Sequence, residues 1–152
     1  MNTQDIIAKY GEPGSNQVYC KLPYRMKLAW QKDVTIGRFS CHKTVKDQME
    51  AIFEEVLACY GPYGIEQLGL DLFGGCLNVR RMRGGSRMSI HSWGLAVDLH
   101  PAKNRLKWNS DKAVFAQQEY NTFWEIVEKH GGHSLGRVKN YDWMHFQFIS
   151  IS

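Results

Sequence analysis

The chain has 152 residues, of which 43% are hydrophobic and 22% charged, and its formal net charge is +4. A chain of this length fits one domain around one hydrophobic core, and the composition excludes a disordered or fibrous protein. Arginines cluster at positions 80, 81, 83 and 87, but no nucleic-acid-binding motif accompanies them. We expect a single globular domain over residues 1–152, a monomer with no specific nucleic-acid partner.

The N-terminal segment MNTQDIIAKYGEPG lacks the basic start and the apolar run of a secretory signal. No stretch of the sequence reaches transmembrane length. These features predict synthesis in the cytoplasm without membrane insertion, so a substrate outside the membrane would require another route of release. The cysteines form no CxxC pair and predict reduced, mostly buried thiols; they are Cys20, Cys41, Cys59 and Cys76.

The first 60 residues predict two helices separated by a segment that is hard to interpret. Thr3 is expected to cap a short helix over residues 4–10, which Gly11 and Pro13 would end. Residues 11–42 mix Gly, Pro, aromatic and basic residues, which predicts an irregular packed segment with a short strand or two. Apolar residues at helical spacing predict an amphipathic helix over residues 43–60, ended by Gly61 and Pro62.

The rest of the chain alternates between strand and helix patterns. Residues 68–80 predict a strand pair or one bent strand, and residues 81–90 a basic loop. Residues 94–100 predict a strand with Ala96, Asp98 and His100 on one face. A helix is expected over residues 113–130, followed by a closing strand in WMHFQFIS; its expected buried residues are Phe115, Phe123, Trp124 and Val127. The fold class is therefore α+β.

Three residues in two short segments have the side chains that a catalytic zinc site requires. His91 and Asp98 lie within SIHSWGLAVD, and His145 lies within DWMHF. Catalytic zinc takes three ligands of these types and leaves one position open. A lone histidine beside a strand is more often structural than a ligand. Asp98 is flanked by apolar neighbours, and a buried carboxylate must be coordinated or paired, so pairing with an arginine remains an alternative.

The segment SIHSWGLAVDLHPAKN followed by DWMHF closely resembles the SxHxxGxAxD and (E/D)xxH motifs of the zinc D-Ala-D-Ala carboxypeptidase and L-Ala-D-Glu endopeptidase family. That family includes the VanX and VanY dipeptidases and several phage endolysins, and it shares its fold with the hedgehog signalling domain. The resemblance covers roughly residues 73–148. It implies a small antiparallel sheet with helices packed against it.

The resemblance also implies roles for individual residues. His91, Asp98 and His145 match the zinc ligands of the family. Asp142 matches the general base that acts on the attacking water, although many relatives have Glu there. Arg80 is the best match to the arginine that stabilises the developing oxyanion, and Arg81 and Arg83 remain alternatives. Ser89 would support the site, and the small residues Gly94 and Ala96 would allow close approach.

The spacing of the second motif constrains where Asp142 lies. In a regular strand positions 142 and 145 face opposite sides, yet base and ligand must serve the same metal. Asp142 is therefore expected in the turn that enters the strand, with Asn140 and Tyr141 compatible with such a turn. His100 is a candidate for a group behind the ligands. The remaining histidines are expected at the surface or as helix-end caps, namely His42, His130 and His133.

The resemblance implies a zinc metallopeptidase that hydrolyses the stem peptides of peptidoglycan. We expect a phage-type endolysin with L-Ala-D-Glu endopeptidase activity, reaching the wall after holin-type release, or a D-Ala-D-Ala carboxypeptidase. Two alternatives are a cytoplasmic D-Ala-D-Ala dipeptidase and a catalytically silent, zinc-stabilised cell-wall-binding module. Zn²⁺ is the expected cofactor, and a hard Asp ligand beside two imidazoles also suits manganese or cobalt.

Overall fold

The computed structural model of the protein describes residues 1–82, 85 and 87–152. Arg83, one of the alternatives to Arg80, lies outside the described residues. The helices are α1 (Thr3–Tyr10), α2 (Lys46–Leu68), α3 (Asn121–Lys129) and α4 (Leu135–Lys139). The strands are β1 (Gln17–Leu28), β2 (Gln31–His42), β3 (Leu72–Gly75), β4 (Ala96–Leu99), β5 (His133–Ser134) and β6 (His145–Gln147). The α+β class is confirmed.

The six strands form one sheet in the order β2-β1-β3-β4-β6-β5. The pairs are antiparallel except β1 with β3, which is parallel. The expectation of an antiparallel sheet is therefore wrong at this junction. The physical reason is α2, which carries the chain back across the sheet after the β1–β2 hairpin, so that β3 runs in the direction of β1.

Residues 17–42 form two long paired strands rather than the predicted irregular segment. Each strand has 12 residues. Apolar residues do alternate along β1, at positions 18, 20, 22, 24, 26 and 28, but Pro23 and the basic residues between them hide this pattern. The register shifts between Lys21 and Met26, which brackets Pro23. Such an irregularity tolerates a residue that has no backbone N–H to donate.

The predicted helix ends are right at α1 and only partly right at α2. Helix α1 ends at Tyr10 with Gly11 as its C-cap, while Asn2 caps its start instead of Thr3. In α2 the backbone leaves the helical conformation at Gly61, with φ 70° and ψ 168°. The helix then resumes at Pro62 and runs to Leu68, because proline is well tolerated in a first helical turn.

Helix α3 is shorter than predicted. Residues 114–116 and 118–120 form two short 3-10 turns, separated by Gln117 in extended conformation. The α-helix begins only at Asn121. The prediction of which side chains are buried is confirmed, since Phe115, Phe123, Trp124 and Val127 are all in the core.

The core lies between the sheet and helices α2 and α3. Helix α2 packs against β1 and α3, and its buried residues include Ile52, Phe53 and Val56. All four cysteines are free thiols as predicted, with Cys59 exposed and the other three buried. Among residues 1–82, 85 and 87–152, no helix has the length and apolar character needed to cross a membrane.

Candidate metal centre

The pairing of β4 with β6 brings two of the predicted ligands together. Asp98 lies directly opposite His145 in this antiparallel pair, and directly opposite residues present their side chains on the same face of a sheet. The Asp98 Oδ1 atom is 3.1 Å from His145 Nδ1. Two residues that are 47 positions apart in the sequence therefore meet because of strand register alone.

His91 reaches the same place from a 3-10 turn over Ile90–Trp93. The Ser89 hydroxyl accepts a hydrogen bond from the His91 backbone N–H at 3.2 Å, which is the supporting contact predicted for that serine. The turn ends at Gly94, whose φ is 67°. A Cβ at Gly94 would lie 2.5 Å from Gln17 Oε1 and 2.9 Å from the His42 backbone nitrogen, so a close backbone approach requires glycine here.

The outward nitrogen of each imidazole has a partner that defines its protonation. His91 Nδ1 lies 2.8 Å from the Cys76 carbonyl oxygen, which can only accept, so Nδ1 is the donor. His145 Nε2 lies 2.9 Å from Gln147 Oε1. The Gln147 amide donates to the Ile149 carbonyl at 2.7 Å, which turns its oxygen towards His145 and makes Nε2 the donor.

The inward nitrogens, His91 Nε2 and His145 Nδ1, consequently present lone pairs to the Asp98 carboxylate. They lie 3.2 Å and 3.1 Å from its two oxygens. Lone pairs facing a carboxylate at this distance repel it unless protons or a cation lie between them. One ligand atom from each of the three residues lies within 4.8 Å of the other two. The donor set and its geometry fit a divalent cation such as Zn²⁺.

The electrostatics of His91, Asp98 and His145 also favour a bound cation. When protons take the place of a cation on the inward nitrogens, burial opposes ionisation of Asp98, but the charge of protonated His91 and the hydrogen bonds that both histidines then donate hold the pKa of Asp98 well below its ordinary value. Burial likewise disfavours protonated His145, yet the Asp98 carboxylate raises the pKa of His145. His91 and His145 are only 4% and 7% exposed. The site thus attracts positive charge into a largely buried position.

Asp142 lies in the turn before β6, as the spacing predicted. Its backbone φ is 53° and that of Asn140 is 58°, left-handed values that Asn and Asp tolerate better than most residues. The Asp142 carbonyl accepts from the His145 N–H at 3.1 Å, and the Asp142 N–H donates to the Leu106 carbonyl. This turn brings Asp142 Oδ2 to 3.9 Å from His145 Nδ1.

The environment of Asp142 favours a proton-accepting carboxylate that works near neutral pH. Burial and the neighbouring Asp98 charge raise the pKa of Asp142 to about 6, while the positive charges of His145, His91 and Arg80 oppose the rise. A general base is most effective when its pKa is close to the working pH. A bound metal ion would add further positive charge and lower this pKa.

Arg80 lies near enough to the site for its charge to affect Asp142, and its guanidinium donates to the Arg81 carbonyl at 3.3 Å. It lies after β3 and outside any strand, not on a strand as in the family. The Ser92 hydroxyl accepts from the Arg80 N–H at 3.1 Å and donates to its carbonyl at 2.9 Å. The charge of Arg80 acts on Asp142. Arg81 is exposed and pairs with Met88 in an isolated β-bridge.

The other histidines have separate environments. His100 has a φ of 51°, which ends the strand alternation after Leu99, and its ring packs against Phe115. His42 is buried rather than at the surface, but it does cap a 3-10 turn as predicted. His130 caps the end of α3 and pairs with Glu55 at 2.9 Å.

Sequence reasoning missed three contributors to the site, namely the Cys76 carbonyl, Ser92 and Gln147. A backbone carbonyl leaves no signal in the sequence. Gln147 could have been found, because it follows His145 by two positions in a predicted strand and must share its face. Ser92 lies beside the first ligand, but its contact with Arg80 depends on how the loop folds back.

Comparison with known protein families gave a match to peptidases. The model of a family described as D-alanyl-D-alanine carboxypeptidase matches residues 83–148, which is under half of the chain. The comparisons with curated proteins and with solved structures gave no match. The matched segment contains His91, Asp98, Asp142 and His145 but not Arg80. The α+β fold is compatible with such peptidases, and the match broadly supports a peptidase of the D-alanyl-D-alanine carboxypeptidase family.

Proposed function

We propose that the protein is a zinc-dependent peptidase that hydrolyses the stem peptides of peptidoglycan. We infer that it is either an L-Ala-D-Glu endopeptidase of the phage endolysin type, reaching the wall after holin-type release, or a D-Ala-D-Ala carboxypeptidase. The observation that carries the proposal is the convergence of two imidazole lone pairs on the Asp98 carboxylate, with the buried Asp142 carboxylate beside them. A purely structural metal site does not require that additional carboxylate.

In this proposal His91 Nε2, an Asp98 carboxylate oxygen and His145 Nδ1 hold the metal. A zinc ion in such a site lowers the pKa of water to near 7 and polarises a carbonyl group. The two imidazoles are neutral ligands and Asp98 contributes a single negative charge, so the bound ion keeps net positive charge. The stem peptide is the proposed partner, and the protein is proposed to act as a monomer.

Asp142 is the proposed general base and acid. Its carboxylate takes a proton from the attacking water and later returns that proton to the leaving amine. Burial keeps the carboxylate poorly solvated, which raises its affinity for the proton. The Arg80 guanidinium stabilises negative charge as it develops on the carbonyl oxygen of the scissile bond.

The proposed function is tested by digesting purified peptidoglycan with zinc-loaded protein and identifying the products by mass spectrometry. A sample with a chelator and a sample of the Asp142→Asn variant serve as controls. Fragments that appear only in the zinc-loaded wild-type sample support the peptidase. Loss of a terminal alanine identifies a carboxypeptidase, and release of whole stem peptides from L-Ala identifies an endopeptidase.

The same experiment separates the two alternatives. If intact peptidoglycan is not cut but free D-Ala-D-Ala is hydrolysed, the protein is a dipeptidase and the cell-wall assignment is wrong. If the zinc-loaded protein cuts neither substrate but is retained on sedimented cell walls, it is a silent binding module. That result would remove Asp142 from any catalytic role.

A further inference from the structure

We propose that Gln147 is a positioning residue that fixes the tautomer of His145 and thereby decides which of its nitrogens meets the metal. This inference rests on the proposed metal site but not on the proposed substrate. Gln147 lies in β6, two residues after His145, and is 9% exposed. It is therefore a buried polar side chain whose amide must be satisfied by specific partners.

The orientation of the Gln147 amide is determined from both ends. Its Nε2 donates to the Ile149 carbonyl at 2.7 Å, and its Oε1 lies 2.9 Å from His145 Nε2. If the amide were flipped, its NH₂ would face His145 and its oxygen would face a carbonyl oxygen, which is repulsive. The observed orientation leaves His145 Nε2 as a proton donor and directs the Nδ1 lone pair at Asp98.

The other tautomer of His145 would be incompatible with metal binding in this geometry. A proton on Nδ1 would be donated to Asp98 Oδ1, 3.1 Å away, and would occupy the space between the ligands. His91 does not share this freedom, because the Cys76 backbone carbonyl fixes its tautomer. The hydrogen-bond acceptor that fixes the tautomer is therefore a side chain, Gln147, for His145 and a backbone carbonyl for His91. Only the side-chain acceptor can be removed by a substitution.

The test compares Gln147→Met, which has a similar length but no acceptor, with Gln147→Glu, which keeps an acceptor for His145 Nε2–H. Zinc affinity is measured by competition with a chromophoric chelator. The protonation of His145 in the zinc-loaded proteins is read from the ¹⁵N chemical shifts of its ring. Both readouts are independent of peptidase activity.

We expect Gln147→Met to bind zinc about 10- to 100-fold more weakly, as is common when a partner behind a metal ligand is lost. Gln147→Glu keeps the acceptor for His145 Nε2–H but sets a second oxygen against the Ile149 carbonyl, so it should recover part of that loss. Wild-type His145 should show a protonated Nε2 with Nδ1 on the metal. The matched control is Gln17→Met, because Gln17 donates to the backbone carbonyls of Ser15 and Trp93 and lies against the same motif. It should lower stability and leave zinc affinity unchanged.

The inference is overturned if zinc-loaded wild-type protein shows His145 bound through Nε2, a result that requires no variant to fold. Wild-type zinc affinity in Gln147→Met would also overturn it, as would an equal loss in Gln147→Met and Gln17→Met, which would indicate a structural role. Absence of peptidase activity with the expected zinc and ¹⁵N results would contradict the proposed function alone.

Discussion

Two buried histidine environments in this protein differ in one respect that separates structure from chemistry. His42 is 1% exposed and both of its nitrogens have compatible partners, since Nε2 donates to the Tyr10 carbonyl at 2.7 Å and Nδ1 accepts from the Thr44 N–H. His91 and His145 each have one such partner, and the other nitrogen of each faces the Asp98 carboxylate. Burial alone does not identify a ligand. A candidate ligand is identified by a hydrogen-bond partner that places the proton on one nitrogen and leaves the lone pair of the other nitrogen facing the carboxylate.

The largest expected effect is on catalysis, when Asp142 is replaced and the three proposed metal ligands are kept. Asp142→Asn keeps the shape of the side chain and tolerates the left-handed backbone, but it cannot accept a proton. We expect the rate of peptide release to fall by about 10²- to 10⁴-fold, the usual contribution of general acid–base catalysis. Zinc affinity should stay close to that of the wild type. The measurement is the initial rate of fragment release from peptidoglycan.

The matched control for this variant is Asp111→Asn, which changes an exposed aspartate in the same part of the chain. Asp111→Asn should release peptide fragments at the wild-type rate. A rate for Asp142→Asn within tenfold of the wild type would mean that another group moves the proton.

The next largest effect compares the two histidine environments directly. His91→Ala removes a proposed ligand, and we expect zinc affinity to fall by more than the roughly 100-fold that marks the upper end for partners behind a ligand. His42→Ala should leave zinc affinity unchanged. Chelator competition on both variants provides the measurement, and a similar loss of affinity in both would abolish the distinction between the environments.

The reverse pattern is expected for the free energy of unfolding. His42→Ala leaves the Tyr10 carbonyl and the Thr44 N–H without their partner and opens a cavity, so we expect a loss of about 2–4 kcal/mol. In metal-free protein His91→Ala should cost less, because it leaves one backbone group, the Cys76 carbonyl, without its partner rather than two. Urea denaturation in the presence of a chelator measures both. Greater destabilisation by His91→Ala would contradict this assignment.

The smallest effect concerns the stability of metal-free protein as a function of pH. The pKa of Asp142 is raised from 3.8 to about 6, chiefly by burial, so the folded state disfavours the carboxylate and its contribution to stability falls as pH rises from about 4 to 6. Asp142→Asn avoids this loss. We expect the variant to match the wild type below pH 4 and to be more stable by about 1–3 kcal/mol above pH 6.

Denaturant melts of the wild type and Asp142→Asn across this pH range, with chelator present, make the comparison. A stability difference that shrinks as pH rises would show that the Asp142 carboxylate is stabilised in the folded state, contrary to its buried position.

The candidate site is more predictable from sequence than the fold around it. His91, Asp98 and His145 stand in two motifs that resemble those of a known family, and strand alternation together with the role that this resemblance implies for Asp142 predicts that Asp142 lies in a turn. The β1–β2 hairpin is harder to predict because the apolar alternation in β1 is weak and is interrupted by Pro23. Pairing with β2 supplies the stabilisation that local propensity does not, as is common for strands.

The sequence by itself determined the α+β class, the first helix and the buried face of α3, because each depends on residue type and local spacing. It indicated the residues that can hold a metal through the resemblance of two short motifs to a known family. Only the tertiary structure decided the parallel junction between β1 and β3, the register that sets Asp98 opposite His145, and the partners that fix each imidazole tautomer. These features depend on contacts between distant segments. Backbone carbonyls such as that of Cys76 are present at every residue, so their roles emerge only when the chain is folded.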